Sequence, residues 1–176
     1  MDSTVSNAKW FDNEYKCSGR GDMMKKYAVK IEQDGGDDTG LTNLWMECLS
    51  GKTQRGGFKD WGTWRNTEEC PNYMVGFRMQ MCNSNVGAAN VVMYCSRPGN
   101  DYKMSGTWYE DNDGSCKWGP VQFCREKYGI CGFKYEYEPA QRGHRDDSGL
   151  TNLKMLCCPI PGIMSFTCIR YTCLVT

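Results

Sequence analysis

The chain lacks net charge of either sign, with 21 Lys and Arg against 21 Asp and Glu in 176 residues. Nucleic-acid binders and polybasic membrane binders need an excess of cations, so neither class of partner is expected. Histidine is reduced to one residue, His144. No two cysteines stand three positions apart, which removes the Cys-x-x-Cys spacing of zinc knuckles and redox motifs. No metal site and no cofactor are expected. No apolar run approaches the roughly 18 residues of a membrane span. The segment MDSTVSNAKWF has no basic stretch followed by an apolar one, so no signal peptide is read there. An Asn-x-Ser/Thr sequon is absent, and so is any convincing helical periodicity.

What is present is cysteine and repetition. Twelve cysteines spread along the chain predict a disulfide framework formed in an oxidising compartment, hence secretion. Two stretches match closely: GDDTGLTNLWMEC, residues 36–48, and DDSGLTNLKMLC, residues 146–157. A weaker copy, GAANVVMYC, occupies residues 87–95. In all three an Asn stands five residues before a Cys: 48−43, 95−90 and 157−152. Trp10, Trp64 and Trp118 recur at 64−10 = 54 and 118−64 = 54. The chain reads as one domain, residues 1–176, holding a threefold repeat: about 10–60, 61–108 and 109–160, with a tail at 161–176.

Each repeat carries a strand with period-two patterning, over 27–33, 73–81 and 130–138. Val29 and Ile31 oppose Lys30 and Glu32; Phe133 and Tyr135 oppose Lys134 and Glu136. A polar loop follows, then the strand holding the Asn and Cys. On that strand Leu44, Met46 and Cys48 correspond to Val91, Met93 and Cys95 and to Leu153, Met155 and Cys157. The opposite face varies, with Trp45, Val92 and Lys154 as equivalents, which predicts a buried face against a solvated one. The tail, with Cys168 and Cys173, is expected to pair with the first repeat's sheet and remove an open edge.

A Cys precedes the first strand and another ends the second in every repeat. The pairing this predicts is Cys17–Cys48, Cys70–Cys95 and Cys124–Cys157. Cys131 and Cys158, confined to the third repeat, are expected to form a further staple. Cys82, Cys116, Cys168 and Cys173 are not connected by sequence alone.

The Gly-Leu-Thr-Asn-Leu segments with their acidic pairs, the strand opening CREKYGICGF and the adjacent Cys157 and Cys158 together resemble the vitelline membrane outer layer protein I family. The resemblance spans roughly residues 10–160. It implies an all-β fold, a β-prism of three Greek-key antiparallel sheets. It also implies a secreted structural or carbohydrate-binding component of an extracellular coat, mucus or egg layer. The partners would be glycans or other extracellular-matrix proteins. The alternative it implies is a glycosyl-transferring enzyme acting on N-acetylglucosamine oligosaccharides.

Asp37, Asp38, Asp146 and Asp147 are the first candidates for ligand contact, through sugar hydroxyls, a hard cation or glycosyl transfer. Turn chemistry alone also explains Asp-Asp-Thr-Gly, and adjacent carboxylates on one loop match poorly the flanking pair of a glycosidase. The second repeat, NSNVGAAN, has no acidic pair. Asn43, Asn90 and Asn152 are expected to satisfy backbone groups where loop becomes strand. Trp61, Trp64, Trp108 and Trp118 read either as exposed platforms for stacking on sugar rings or as core caps over the ends of the prism, and their repeat-linked positions favour packing. Trp45, whose equivalents are Val92 and Lys154, is expected to face outward beside the acidic loop and contact ligand. His144 reads as a loop residue without a triad, and Glu110–Gly114 lacks the full spacing of a calcium loop.

Overall fold

In the computed structural model the described residues are 9–10, 14–33, 40–56, 61–82, 87–96, 114–137 and 149–161; for 102–103, 166–169 and 172–175 the backbone alone is described. Within them every regular element is a strand. In chain order these are β1 (Lys9–Trp10), β2 (Tyr15–Lys16), β3 (Met24–Glu32), β4 (Gly40–Cys48), β5 (Thr53–Arg55), β6 (Thr63–Trp64), β7 (Glu68–Glu69) and β8 (Met74–Met81). They continue with β9 (Ala88–Cys95), β10 (Tyr102–Lys103), β11 (Lys117–Trp118), β12 (Gln122–Phe123), β13 (Tyr128–Tyr137), β14 (Leu150–Pro159), β15 (Phe166–Ile169) and β16 (Thr172–Val175).

The repeats become three antiparallel sheets. The first has the order β5-β4-β3-β6, with β7 also on β3; the second has the order β10-β9-β8-β11, with β12 also on β8. Three hairpin-connected strands with the next one returning beside the first is the Greek key. The third sheet is β1-β13-β14, with β2 also on β13. Its returning strands therefore come from the N-terminal end of the chain. Trp10 and Cys17 open the first repeat in sequence, yet the strands around them complete the third sheet. The structure is closed by its N-terminal strands. Contrary to the expectation from sequence, among the described residues the tail does not pair with the first repeat's sheet: β15 and β16 pair with one another, Cys168 opposite Cys173.

The alternation read from sequence sets which face is buried. Val29, Ile31, Leu44 and Met46 from the first sheet join Phe77, Val91 and Met93 from the second and Phe133, Tyr135 and Leu153 from the third in one core. Tyr27, Phe77 and Phe133 hold equivalent positions, opposite Met46, Met93 and Met155. Three sheets around a shared core make the fold a β-prism. Val92 and Lys30 depart from the solvated-face expectation: Val92 is fully buried and Lys30 is only 8% exposed. The cross-strand partner of Val92, Arg78, lies over that face, its guanidinium 4.5 Å from the Trp118 ring centre.

One position shows how the three copies solve the same problem differently. Lys26, Gly76 and Gly132 are equivalents, each just before the buried aromatic. Lys26 bridges Glu47 at 2.9 Å and reaches Glu69 at 3.9 Å. In the second sheet the equivalents of those acids are Tyr94 and Phe123, whose rings meet edge-on at 5.3 Å, with Phe123 lying over Gly76. In the third, a Cβ on Gly132 would come within 2.5 Å of the Tyr15 carbonyl oxygen, so only glycine lets β2 approach β13.

Cys17–Cys48, Cys70–Cys95, Cys124–Cys157 and Cys131–Cys158 are bonded as the spacing predicts. Each recurring staple spans 25 to 33 residues. Loops of that length correspond to about 3–4 kcal/mol of denatured-state entropy each. A fifth bond, Cys82–Cys116, ties the end of β8 to the segment before β11. The side chains of Cys168 and Cys173 lie outside the described residues.

Candidate functional site

The recurring Asn residues serve the backbone. Asn43 Oδ1 accepts from the Leu44 N–H at 2.8 Å, and Asn152 Oδ1 accepts from the Leu153 N–H at 2.9 Å. Asn90 instead donates through Nδ2 to Gln80 Oε1 at 2.7 Å, holding its cross-strand partner.

The repeat-linked tryptophans are half-buried, and each has a cation on a ring face. Arg55 lies 5.2 Å from the Trp64 centre, Arg78 4.5 Å from Trp118 and Lys154 4.2 Å from Trp10. The cations come from non-equivalent positions on β5, β8 and β14. The fold has thus covered the same ring three times by different routes, and a cation–π contact at a solvent-accessible site is worth about 0.5–1 kcal/mol. These rings pack, as the repeat logic expects. Trp45 is half-buried, opposite Ala28 on one side and Arg55 on the other.

Trp61 is different. It is 45% exposed and has no tryptophan at the equivalent positions, Asn7 and Ser115. It lines a cleft of about 310 Å³ with Ile31, Glu32, Gln33, Gly62 and Thr63. Its backbone is fixed from below: the buried Thr42 hydroxyl makes hydrogen bonds of 2.8 Å to the Trp61 carbonyl and 3.2 Å to the Lys30 carbonyl. Gly62 adopts φ +95°, and a Cβ there would meet the Ile31 carbonyl oxygen at 2.8 Å. A positive-φ glycine and a buried hydroxyl therefore hold a large aromatic at the surface beside a carboxylate and an amide. That combination suits a ligand with one apolar face and a polar rim.

In sequence, Asp37 and Asp38 follow shortly after Glu32 and Gln33. Those two acids, Asp146 and Asp147 of the third repeat, His144 and Trp108 all lie outside the described residues. Sequence reasoning ranked Trp61 with the packing tryptophans; the signal that separates it is its lack of a counterpart at the 54-residue spacing. Cys17, Asp22 and Cys48 bring potential metal-ligating atoms within 4.8 Å of one another. Both sulfurs are in a disulfide and the Asp22 carboxylate accepts from the Ser50 N–H and hydroxyl at 2.9 and 2.7 Å, so this cluster offers no metal site.

Three sheets around one core, tied by a disulfide that recurs in each, define the class: a disulfide-stapled β-prism. Within it, the family model described as vitelline membrane outer layer protein I (VOMI) matches residues 3–160. The chain belongs to that family. Among solved structures it is similar to the crystal structure of Calystegia sepium agglutinin, at 12% identity and a TM-score of 0.40, covering 87% of this chain and 100% of that one. No described helix is long and apolar enough to cross a membrane.

Proposed function

We propose that the chain is a secreted, carbohydrate-binding component of an extracellular coat or layer, and that it holds sugar at the Trp61 cleft. The observation that carries this reading is the exposed Trp61 ring standing beside Glu32 and Gln33 on a braced backbone. A sugar ring offers an apolar face for the indole and hydroxyls for the carboxylate and amide. Asp37 and Asp38 are proposed as further hydrogen-bonding partners, with Asp146 and Asp147 as their third-repeat counterparts and Trp45 as a second aromatic contact. Membership of a family named for an outer layer, together with five disulfides, supports an extracellular setting. Glycosyl transfer uses two carboxylates on opposite sides of a bond. Asp37 and Asp38 are neighbours in sequence only a few residues after Glu32, which does not make a flanking pair, so binding is the better-supported reading.

The test is retention of the oxidised protein on a panel of immobilised glycans that includes N-acetylglucosamine oligomers. Trp61→Ala should weaken retention about tenfold, equivalent to ~1.4 kcal/mol. Trp64→Ala, which removes a ring already covered by Arg55, should leave it unchanged. Wild-type retention in Trp61→Ala would refute the cleft assignment. A changed oligomer length distribution after incubation would replace binding with glycosyl transfer.

A further inference from the structure

We infer that the outer edge of β14 is a strand-receiving site, and that its occupant is the β15–β16 hairpin of a second copy of this chain. The starting point is a break in the threefold pattern. β4 carries β5 on its outer side and β9 carries β10, whereas among the described residues β14 carries no strand there.

The gap has a definite register. In the first sheet Trp45, Met46 and Glu47 pair with Arg55, Gln54 and Thr53. Counting back from the shared Cys48 and Cys157, their equivalents are Lys154, Met155 and Leu156. Those three residues and Cys157 line a cleft of about 410 Å³. Its facing wall includes Gln122, Phe123 and Cys124, the equivalents of Tyr15, Lys16 and Cys17. At the seam between the first and third sheets, β5 occupies the matching space: Gln54 Nε2 donates to the Lys16 carbonyl at 2.9 Å and Lys52 Nζ to the same oxygen at 3.4 Å. A strand is therefore what this fold puts between two such walls, and at the β14 seam the space is a cleft.

The exposed chemistry agrees. The Cys48 N–H donates to Lys52 and the Leu44 carbonyl accepts from Gly56, so this parity of β4 turns its backbone groups outward. The same parity in β14 is Leu153, Met155 and Cys157. Cys48 and Cys95 are buried, but Cys157 is exposed, and Phe123 across the cleft is 51% exposed. Lysine often guards a sheet edge; here Lys154 is held over Trp10, leaving the edge beyond it approachable.

The chain supplies a strand pair that stands outside the three sheets. Among the described residues β15 and β16 pair only with each other, and the tail from 162 to 176 holds no Asp or Glu. Within the described residues the chain does not turn back along the β14 edge. After Cys48 the backbone reverses at once, with the Gly51 N–H on the Cys48 carbonyl at 2.9 Å. β14 instead runs two residues past Cys157 to Pro159, and the Pro161 ring packs on Gly21 at the start of the first sheet. The cleft opens between the third and second sheets. Delivery of the hairpin to a neighbouring molecule is thus favoured over return to its own. Insertion of one copy's tail into the next copy's edge is strand addition. The contact is head-to-tail and propagates into chains, which suits a protein of an extracellular layer. It does not depend on carbohydrate binding.

The test is light scattering or sedimentation of the oxidised full chain across concentration. The mass should rise with concentration in steps of 20.1 kDa. Thr167→Pro, which spoils β15 and leaves the three sheets untouched, should hold the protein monomeric. Met155→Pro, which removes an edge N–H, should do the same. Mixing these two variants should give one-to-one dimers and nothing larger, because one keeps the cleft and the other keeps the hairpin. A wild-type chain that stays monomeric at every concentration would overturn the inference. So would variants that assemble like wild type, or a mixture that remains monomeric. A monomer whose Met155 and Cys157 amides are protected from exchange, and lose protection in Thr167→Pro, would show closure by its own tail and overturn it equally. Glycan retention of the monomeric variants should match wild type, which separates this outcome from the fate of the proposed sugar site.

Discussion

Met46, Met93 and Met155 occupy equivalent positions, so truncating each measures how far the threefold pattern holds. Met46 and Met93 are fully buried in the shared core. Met155 packs against that core but is part-exposed and lines the β14 cleft. Cutting a buried Met to Ala loses transfer energy and leaves a cavity, about 2–5 kcal/mol together. Met46→Ala and Met93→Ala should each cost about 3 kcal/mol. At Met155 solvent already reaches the side chain, so the cavity term nearly vanishes and about 1 kcal/mol is expected. For a chain of this size 1 kcal/mol moves Tm by about 2–4 °C. The expected shifts are therefore roughly 6–12 °C for the first two and 2–4 °C for the third. Urea titration of dilute, oxidised protein followed by tryptophan fluorescence reads the differences directly, with unchanged m-values required for the comparison. Equal losses at all three positions, or the largest loss at Met155, would refute the view that the third sheet is open where the other two are closed.

Gly132→Ala should cost about 2 kcal/mol by forcing β2 away from β13, since the new Cβ would lie 2.5 Å from the Tyr15 carbonyl oxygen; faster amide exchange at Cys17, whose N–H donates to Cys131, would report it. Gly51→Ala is the control: φ is +83° but nothing lies within 4 Å, so only the backbone term of about 1 kcal/mol should appear. Asp22→Ala removes two charge-assisted bonds to Ser50 and should cost roughly 2 kcal/mol in the same titration. The hydrogen bond and charge of Lys134 hold the Glu14 carboxyl below its ordinary 4.5. A depressed folded value means stabilisation present above 4.5 and lost as pH falls through it. Lys134→Met should therefore differ from wild type near neutrality and converge with it in acid, by a small amount because the pair is exposed.

The repeat made much of this fold legible before any coordinates. A cysteine before one strand and another at the end of the next must come together in every copy, so Cys17–Cys48, Cys70–Cys95 and Cys124–Cys157 followed from spacing. Period-two patterning placed Val29, Ile31, Leu44 and Met46 inside. Cys82–Cys116 was not legible, because neither residue has an equivalent in the other copies and nothing local fixes their distance. Val92 was misread as solvated because its cover, the Arg78 side chain, comes from the neighbouring strand. The site divided the same way. The acidic loop was visible as a recurrent pattern. Trp61 was hidden among packing tryptophans, because its exposure is set by how the turn at Gly62 packs on β3, which repeat logic does not reveal.

Sequence by itself determined the core-facing side of the strands, the three recurring staples and the family, since each follows from interactions repeated at fixed spacing. Only the tertiary structure decided that N-terminal strands complete the third sheet, that Trp61 alone among the described tryptophans stands exposed, and that the outer edge of β14 is left as a cleft. The physical reason is that a closed threefold prism cut open by a linear chain must break its symmetry somewhere. Where the two chain ends fall decides which sheet is completed from elsewhere in the sequence, and no local pattern carries that information.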